Sequence, residues 1–129
     1  MTAPAFDMTL RIARMARRRA LESAWRNRLS QGITVGGLTL RCEESDRNAF
    51  SQLLVMLAEA ERLGQLPTLV PVADRANAIH TLPVADLRAL LVAYGAAYQS
   101  LWLEKVAAHN AIEAAGTVDA VAAVAIPWN

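Results

Sequence analysis

The stretch from Ile33 to Cys42 constrains this chain more than any other. Apolar and polar residues alternate on either side of Gly36-Gly37. A two-residue turn at the glycines sets Val35 opposite Leu38 and Ile33 opposite Leu40. Those four apolar side chains then share one face, and Thr34 and Thr39 share the other. Two glycines supply the positive φ angles that so tight a turn demands. Glycine pairs also cradle phosphates, but the spaced glycines and the lysine of a nucleotide loop are missing here. A hairpin with one apolar face needs other elements packed on it.

Helical periodicity supplies them. Asp7 reads as the N-cap of a helix from Met8 to about Leu29, with Leu10, Ala13, Ala20 and Ala24 in one apolar row and Leu21, Trp25 and Leu29 in another. Arg11, Arg14 and Arg18 follow i, i+3, i+7 on the same helix and form a basic stripe, and Gly32 ends it. Ser45 or Asp46 reads as the cap of a second helix to about Leu63, buried through Phe50, Leu53, Leu54 and Leu57 and stopped at Gly64. Thr68–Ala73 and Ala78–Leu82 read as a second hairpin around Asp74-Arg75-Ala76-Asn77, with Pro71 pushing its strand to an edge. The longest helix opens at Thr81–Pro83 and runs to about Ala115, near 45 Å at ~1.5 Å per residue. Gly95 in its middle is a place for a kink. Thr117 caps a short last helix, and Ala125-Ile126-Pro127-Trp128 forms an apolar tail that must dock somewhere.

The order helix, hairpin, helix, hairpin, long helix, short helix predicts an α+β fold, a small antiparallel sheet backed by helices. Whether the two hairpins merge into one sheet is left open by the pattern. With 129 residues the chain makes about one domain. Within it we expect a basic N-terminal helical arm over residues 1–30 and a compact body over 31–129. The arm either lies on the body or projects to meet another chain. Residues 1–6, with Pro4, read as a mobile end.

Charge supports that division. Residues 1–30 hold seven arginines against Asp7 and Glu22, a net +5, while the remaining 99 carry −4. The hydrophobic share of 54% is inflated by 26 alanines, yet the bulky apolar residues still suffice for one core. The single cysteine, Cys42, excludes a disulfide framework and suits a reducing cytoplasm. The charge-free run from Ala89 to Leu103 is shorter than the ~20 residues of a membrane span, so no membrane role is expected.

No constellation carries catalysis. Cys42 sits beside Glu43-Glu44, which disfavours a thiolate. Glu43-Glu44 and Glu59/Glu61 point apart on a helix rather than converging. Asp74 and His80 offer an acid–base pair, but an Asp in a turn ordinarily bonds nearby backbone. His80 and His109 have no second ligand at metal-binding spacing. We therefore expect no enzyme, no cofactor, no metal and no small-molecule substrate. The arginine stripe suits an acidic protein surface better than nucleic acid, because no base-reading Asn or Gln lies along it.

The residues from Arg19-Ala20-Leu21 through Gly32-Ile33-Thr34-Val35-Gly36-Gly37-Leu38-Thr39-Leu40 to Ser45-Asp46-Arg47 carry a resemblance. So do the helix ending at Gly64, the turn at Asp74, Leu82-Pro83-Val84-Ala85-Asp86-Leu87, and Ile112-Glu113-Ala114-Ala115 followed by Thr117-Val118-Asp119. Over about residues 16–128 the chain resembles a domain family of unknown function from the tail-fibre and tail-associated proteins of tailed bacteriophages and prophages. It departs from that pattern in the second hairpin, which lacks a tight Asp-Gly turn and an aromatic residue. The resemblance implies a structural or adaptor protein of a phage tail tip or baseplate, made in the bacterial cytoplasm and placed in the virion. Such a protein would attach or organise receptor-binding fibres, as a homo-oligomer or within a larger assembly. A fibre-assembly chaperone and a nucleic-acid-binding regulator are the alternatives. The expected partner-binding residues are Arg11, Arg14 and Arg18 for charge, with Trp25 and Trp128 as anchors and Trp102 as a further candidate.

Overall fold

The structure, a computed structural model, describes residues 7–128. The expected mobile end at residues 1–6 lies outside them. The element order is α1 (Met8–Ser30), β1 (Ile33–Val35), β2 (Leu38–Leu40), α2 (Glu44–Arg62), β3 (Leu69–Ala73), β4 (Ile79–Pro83), α3 (Val84–Ala114) and α4 (Val118–Ala122). This is an α+β fold with the expected order of helices and hairpins. The hairpins form two separate two-stranded antiparallel sheets, β1-β2 and β3-β4.

Local chemistry explains most boundaries. Asp7 caps α1, its carboxylate accepting from the Leu10 N–H at 3.0 Å. The first hairpin has the register read from its alternation, Ile33 opposite Leu40 and Val35 opposite Leu38. The second pairs Val70 with Leu82 and Val72 with His80, and these four face inward while Pro71 faces out. α2 starts one or two residues before the expected cap. Glu43 takes the cap position, and its N–H reaches the Asp46 carboxylate at 3.2 Å. Asp46 thus serves as the reciprocal N3 partner of a capping box. α3 passes through Gly95 unbroken. No helix among the described residues is long and apolar enough to cross a membrane.

The chain divides into two compact units. Among the described residues, 7–28 and 101–128 make one, and Leu29–Ser100 the other. In the first unit, Leu21, Ala108, Ile112 and Val121 form a buried cluster, with Leu10, Ala13, Val124, Ile126 and Trp128 packed against it. The helix expected as an arm is therefore part of a core, because its Leu21 row is covered by the C-terminal segment. The apolar tail docks within this same unit.

The second unit is centred on Leu40, Leu57 and Leu87, all fully enclosed, together with Ile33, Val72, Leu91 and Tyr94. Tyr94 donates to the Arg41 carbonyl at 2.7 Å and meets Phe50 edge-on at 5.0 Å. Burial pushes the Tyr94 phenol well above its usual range, so it stays a neutral donor. Arg47 bonds the Cys42 carbonyl at 2.7 Å and lies over the Tyr98 ring at 4.3 Å. Those contacts hold the start of α2 against α3 and enclose Cys42.

Candidate functional site

The arginine stripe is not a free surface. The Arg14 Nη2 donates to the Ala115 carbonyl at 2.8 Å, and its Nε is buried with no hydrogen-bond partner. The Arg17 Nε donates to the Val124 carbonyl at 3.1 Å. Arg18 pairs with Glu113, which holds that carboxyl below the ordinary carboxylate range. Both carbonyls lie just past the ends of α3 and α4, where helices leave acceptors without intrahelical donors. Arginines 14, 17 and 18 satisfy or neutralise those ends. The guanidiniums of Arg14 and Arg18, two members of the stripe, are turned onto the C-terminal segment. Arg11 remains exposed on the same flank.

The tryptophans expected as anchors, Trp25 and Trp128, lie in the same unit. Trp25 is buried, and Trp128 packs on it with ring centroids 5.3 Å apart. The Trp128 indole N–H donates to Glu104 at 2.6 Å, and Lys105 sits 5.0 Å over the Trp25 ring. Trp128 holds φ at +63°, a region that bulky side chains rarely occupy. Its contacts with Trp25 and Glu104 anchor it there. Both rings are spent on closing the unit, and Trp102 alone of the three is exposed.

One expected outcome separates the two roles. Arg14→Ala loses a part-buried bond to a helix-end carbonyl and lowers stability by about 1–2 kcal/mol. Arg19→Ala, on the exposed side of α1, changes it by less than about 0.5 kcal/mol. Paired denaturation curves check this, and equal effects would show that the Arg14 contact contributes nothing.

Pattern reading missed the large apolar side chains left facing outward. On α1 these are Met8, Ile12 and Met15, between 40% and 58% exposed. On α2 and at its C-cap they are Val55, Met56 and Leu63, between 54% and 71% exposed. A shallow apolar groove runs along α2 between Val55, Met56, Ala60 and Leu63, rimmed by Gln52 and Glu59. The signal was present: these residues fall outside the buried rows that define each helix.

The second unit also holds a polar cavity between its two hairpins, lined by Thr39, Arg41, Glu43, Asp74, Arg75 and His80 among others. Asp74 organises its wall. One carboxylate oxygen accepts from the Ala76 and Ala78 N–H groups, both at 2.9 Å, and the other faces the His80 Nε2 at 2.8 Å. The His80 bond first, and the Ala78 N–H second, hold the Asp74 carboxyl below its usual range. Its contribution to stability is therefore present above the ordinary carboxylate pKa and fades as pH falls through the depressed value. Asn77 takes the left-handed position of this turn at φ +66°. The Arg75 N–H reaches the Thr39 carbonyl at 2.7 Å, and its Nε reaches Ser30 at 3.0 Å. These bonds make Asp74 and Arg75 the ties of a turn seated against the first hairpin. Chemically the wall offers a histidine oriented by a carboxylate, with Cys42 buried beside it. Among the described residues no three His, Cys, Asp or Glu side chains converge as a metal site.

No protein-family model, no curated protein and no solved structure matches this chain.

Proposed function

We propose that this chain is a structural or adaptor subunit that works by burying helix faces against other proteins, and that its place is a phage tail tip or baseplate. The observation that carries the docking reading is the outward apolar side chains of α1 and α2. Scattered single apolar residues are ordinary on any surface. Here they recur at helical spacing, Met8, Ile12 and Met15 at i, i+4 and i+7. Contiguous apolar faces rimmed by polar residues mark contact surfaces. The tail placement draws its support from the sequence resemblance over residues 16–128. Within such an assembly the subunit would attach or organise the fibres.

Nucleic acid fits the arginines less well. Arg14, Arg17 and Arg18 are committed to the C-terminal segment, and Arg26 pairs with Glu22 at 3.5 Å. Fewer cations are left to neutralise phosphates than the count suggests. The Asp74–His80 pair is better accounted for by the turn it closes than by a reaction.

Mass spectrometry of purified phage particles from a genome encoding this chain tests the placement. The expected result is its peptides among the tail proteins. Complete, infectious particles that lack it would overturn a virion role and leave a fibre-assembly chaperone.

A further inference from the structure

We infer that the polar cavity between the two hairpins binds a small organic anion, a molecule with a phosphate or carboxylate head and an apolar body. This goes beyond the docking reading and does not rest on it, since none of the outward apolar side chains of α1 and α2 lines the cavity.

Size and rigidity make the cavity a site. Its volume is about 660 Å³, within the ~300–1,000 Å³ of small-molecule pockets. Leu29, Leu38 and Ala76 give it apolar wall, and Arg41, Arg75 and His80 give it polar wall. Two bonds fix the hairpins against each other. The Arg75 N–H donates to the Thr39 carbonyl at 2.7 Å, and the Arg75 Nε donates to the Ser30 carbonyl at 3.0 Å. A site whose groups are already held loses little ordering entropy when it fills.

The charge of the ligand follows from how the charged groups are partnered. Two arginines and two acids line the cavity, and they do not pair with each other. The acids are served from elsewhere. Asp74 accepts from the Ala76 and Ala78 N–H groups with one oxygen and faces His80 with the other. Glu43 is engaged in the capping box that starts α2. The arginines have only neutral acceptors. The Arg41 Nη2 donates to the Asn77 side-chain oxygen, and Arg75 donates to Ser30. Among the described residues neither arginine forms a salt bridge. A guanidinium carries five N–H donors, so one such bond leaves most of them unused. Arg41 follows β2 and Arg75 sits in the turn between β3 and β4, so the two forks reach the cavity from different hairpins. Planar forks of this kind match the paired oxygens of a phosphate or a carboxylate. A cation would find only acids that already have donors.

The test titrates the full chain with phenyl phosphate, benzoate and benzyl alcohol at low salt, following the imidazole signals by NMR. The chain has two histidines, His80 and His109, so a His109→Gln variant assigns the His80 signal. The expected result is a saturating shift of the His80 signal with the anions and none with the neutral alcohol. Tighter binding of phenyl phosphate or of benzoate identifies the head. Arg41→Gln is expected to weaken that binding by about tenfold or more, the loss of a charge-assisted hydrogen bond. Arg19→Gln removes the same charge from the exposed side of α1 and is expected to bind as wild type. Both positions are exposed, and circular dichroism confirms that each variant folds. No saturating shift with either anion, an equal response to benzyl alcohol, or an Arg41→Gln variant that binds like wild type would overturn the proposal. None of these results bears on the particle analysis, so the two readings fail separately.

Discussion

Gly32→Ala is expected to lower the free energy of unfolding by roughly 3 kcal/mol. Gly32 sits between α1 and β1 with φ at +76°. An L side chain there costs about 1–2 kcal/mol before any contact is considered. A Cβ would also lie 2.5 Å from the Leu40 carbonyl oxygen and 3.1 Å from the Thr39 methyl. The nearer atom is backbone, and it belongs to the residue paired with Ile33 across the hairpin. Relief requires moving β2 relative to the end of α1. Two controls frame the effect. Gly37→Ala meets nothing within 4 Å and bears only the backbone cost of φ +79°. Gly95→Ala, in an open stretch of α3, should stabilise by about 0.4–1 kcal/mol. Urea denaturation of the three variants checks the order. A Gly32→Ala protein no weaker than Gly37→Ala would refute the close approach.

Ile112→Ala is the second large effect, with an expected loss of about 2–5 kcal/mol. Ile112 is fully enclosed among Leu21, Ala108 and Val121. All three neighbours are held by helix backbone, in α1, α3 and α4, so the cavity closes poorly. Ile112→Val removes one methylene and should lose no more than about 1.5 kcal/mol. Differential scanning calorimetry reads both. A Tm for Ile112→Ala equal to that of wild type would mean that this cluster is not a core.

The parts of the fold legible in the sequence are those set within a few residues. Gly36-Gly37 and the alternation around them determine both the turn and the register, because a one-residue slip would turn Ile33 and Leu40 outward. Asp7 and Thr117 announce their helices by side-chain bonds three residues ahead. The cap of α2 was harder to place, since Glu43 is a rare cap residue and Ser45 a common one. What decided the position was the reach of Asp46 back to the Glu43 N–H.

The candidate site was less legible for a different reason. Arg14 and Ala115 are separated by 101 positions, and Arg17 and Val124 by 107. A stripe at i, i+3, i+7 looks the same whether it faces water or a carbonyl from the far end of the chain. The same holds for Trp25, whose burial depends on Trp128. Met8, Ile12 and Met15 were visible as apolar residues, but only the packing of the opposite side of α1 shows that they are the ones left outside.

The aromatic residues are partitioned between the two units. Trp25, Trp102 and Trp128 all belong to the first, and Tyr94 and Tyr98 to the second. Indole emission therefore reports on one half of the molecule and phenol emission on the other, with no label added. Coincident melting of the two signals marks a single cooperative transition, and separated midpoints mark two halves that open independently.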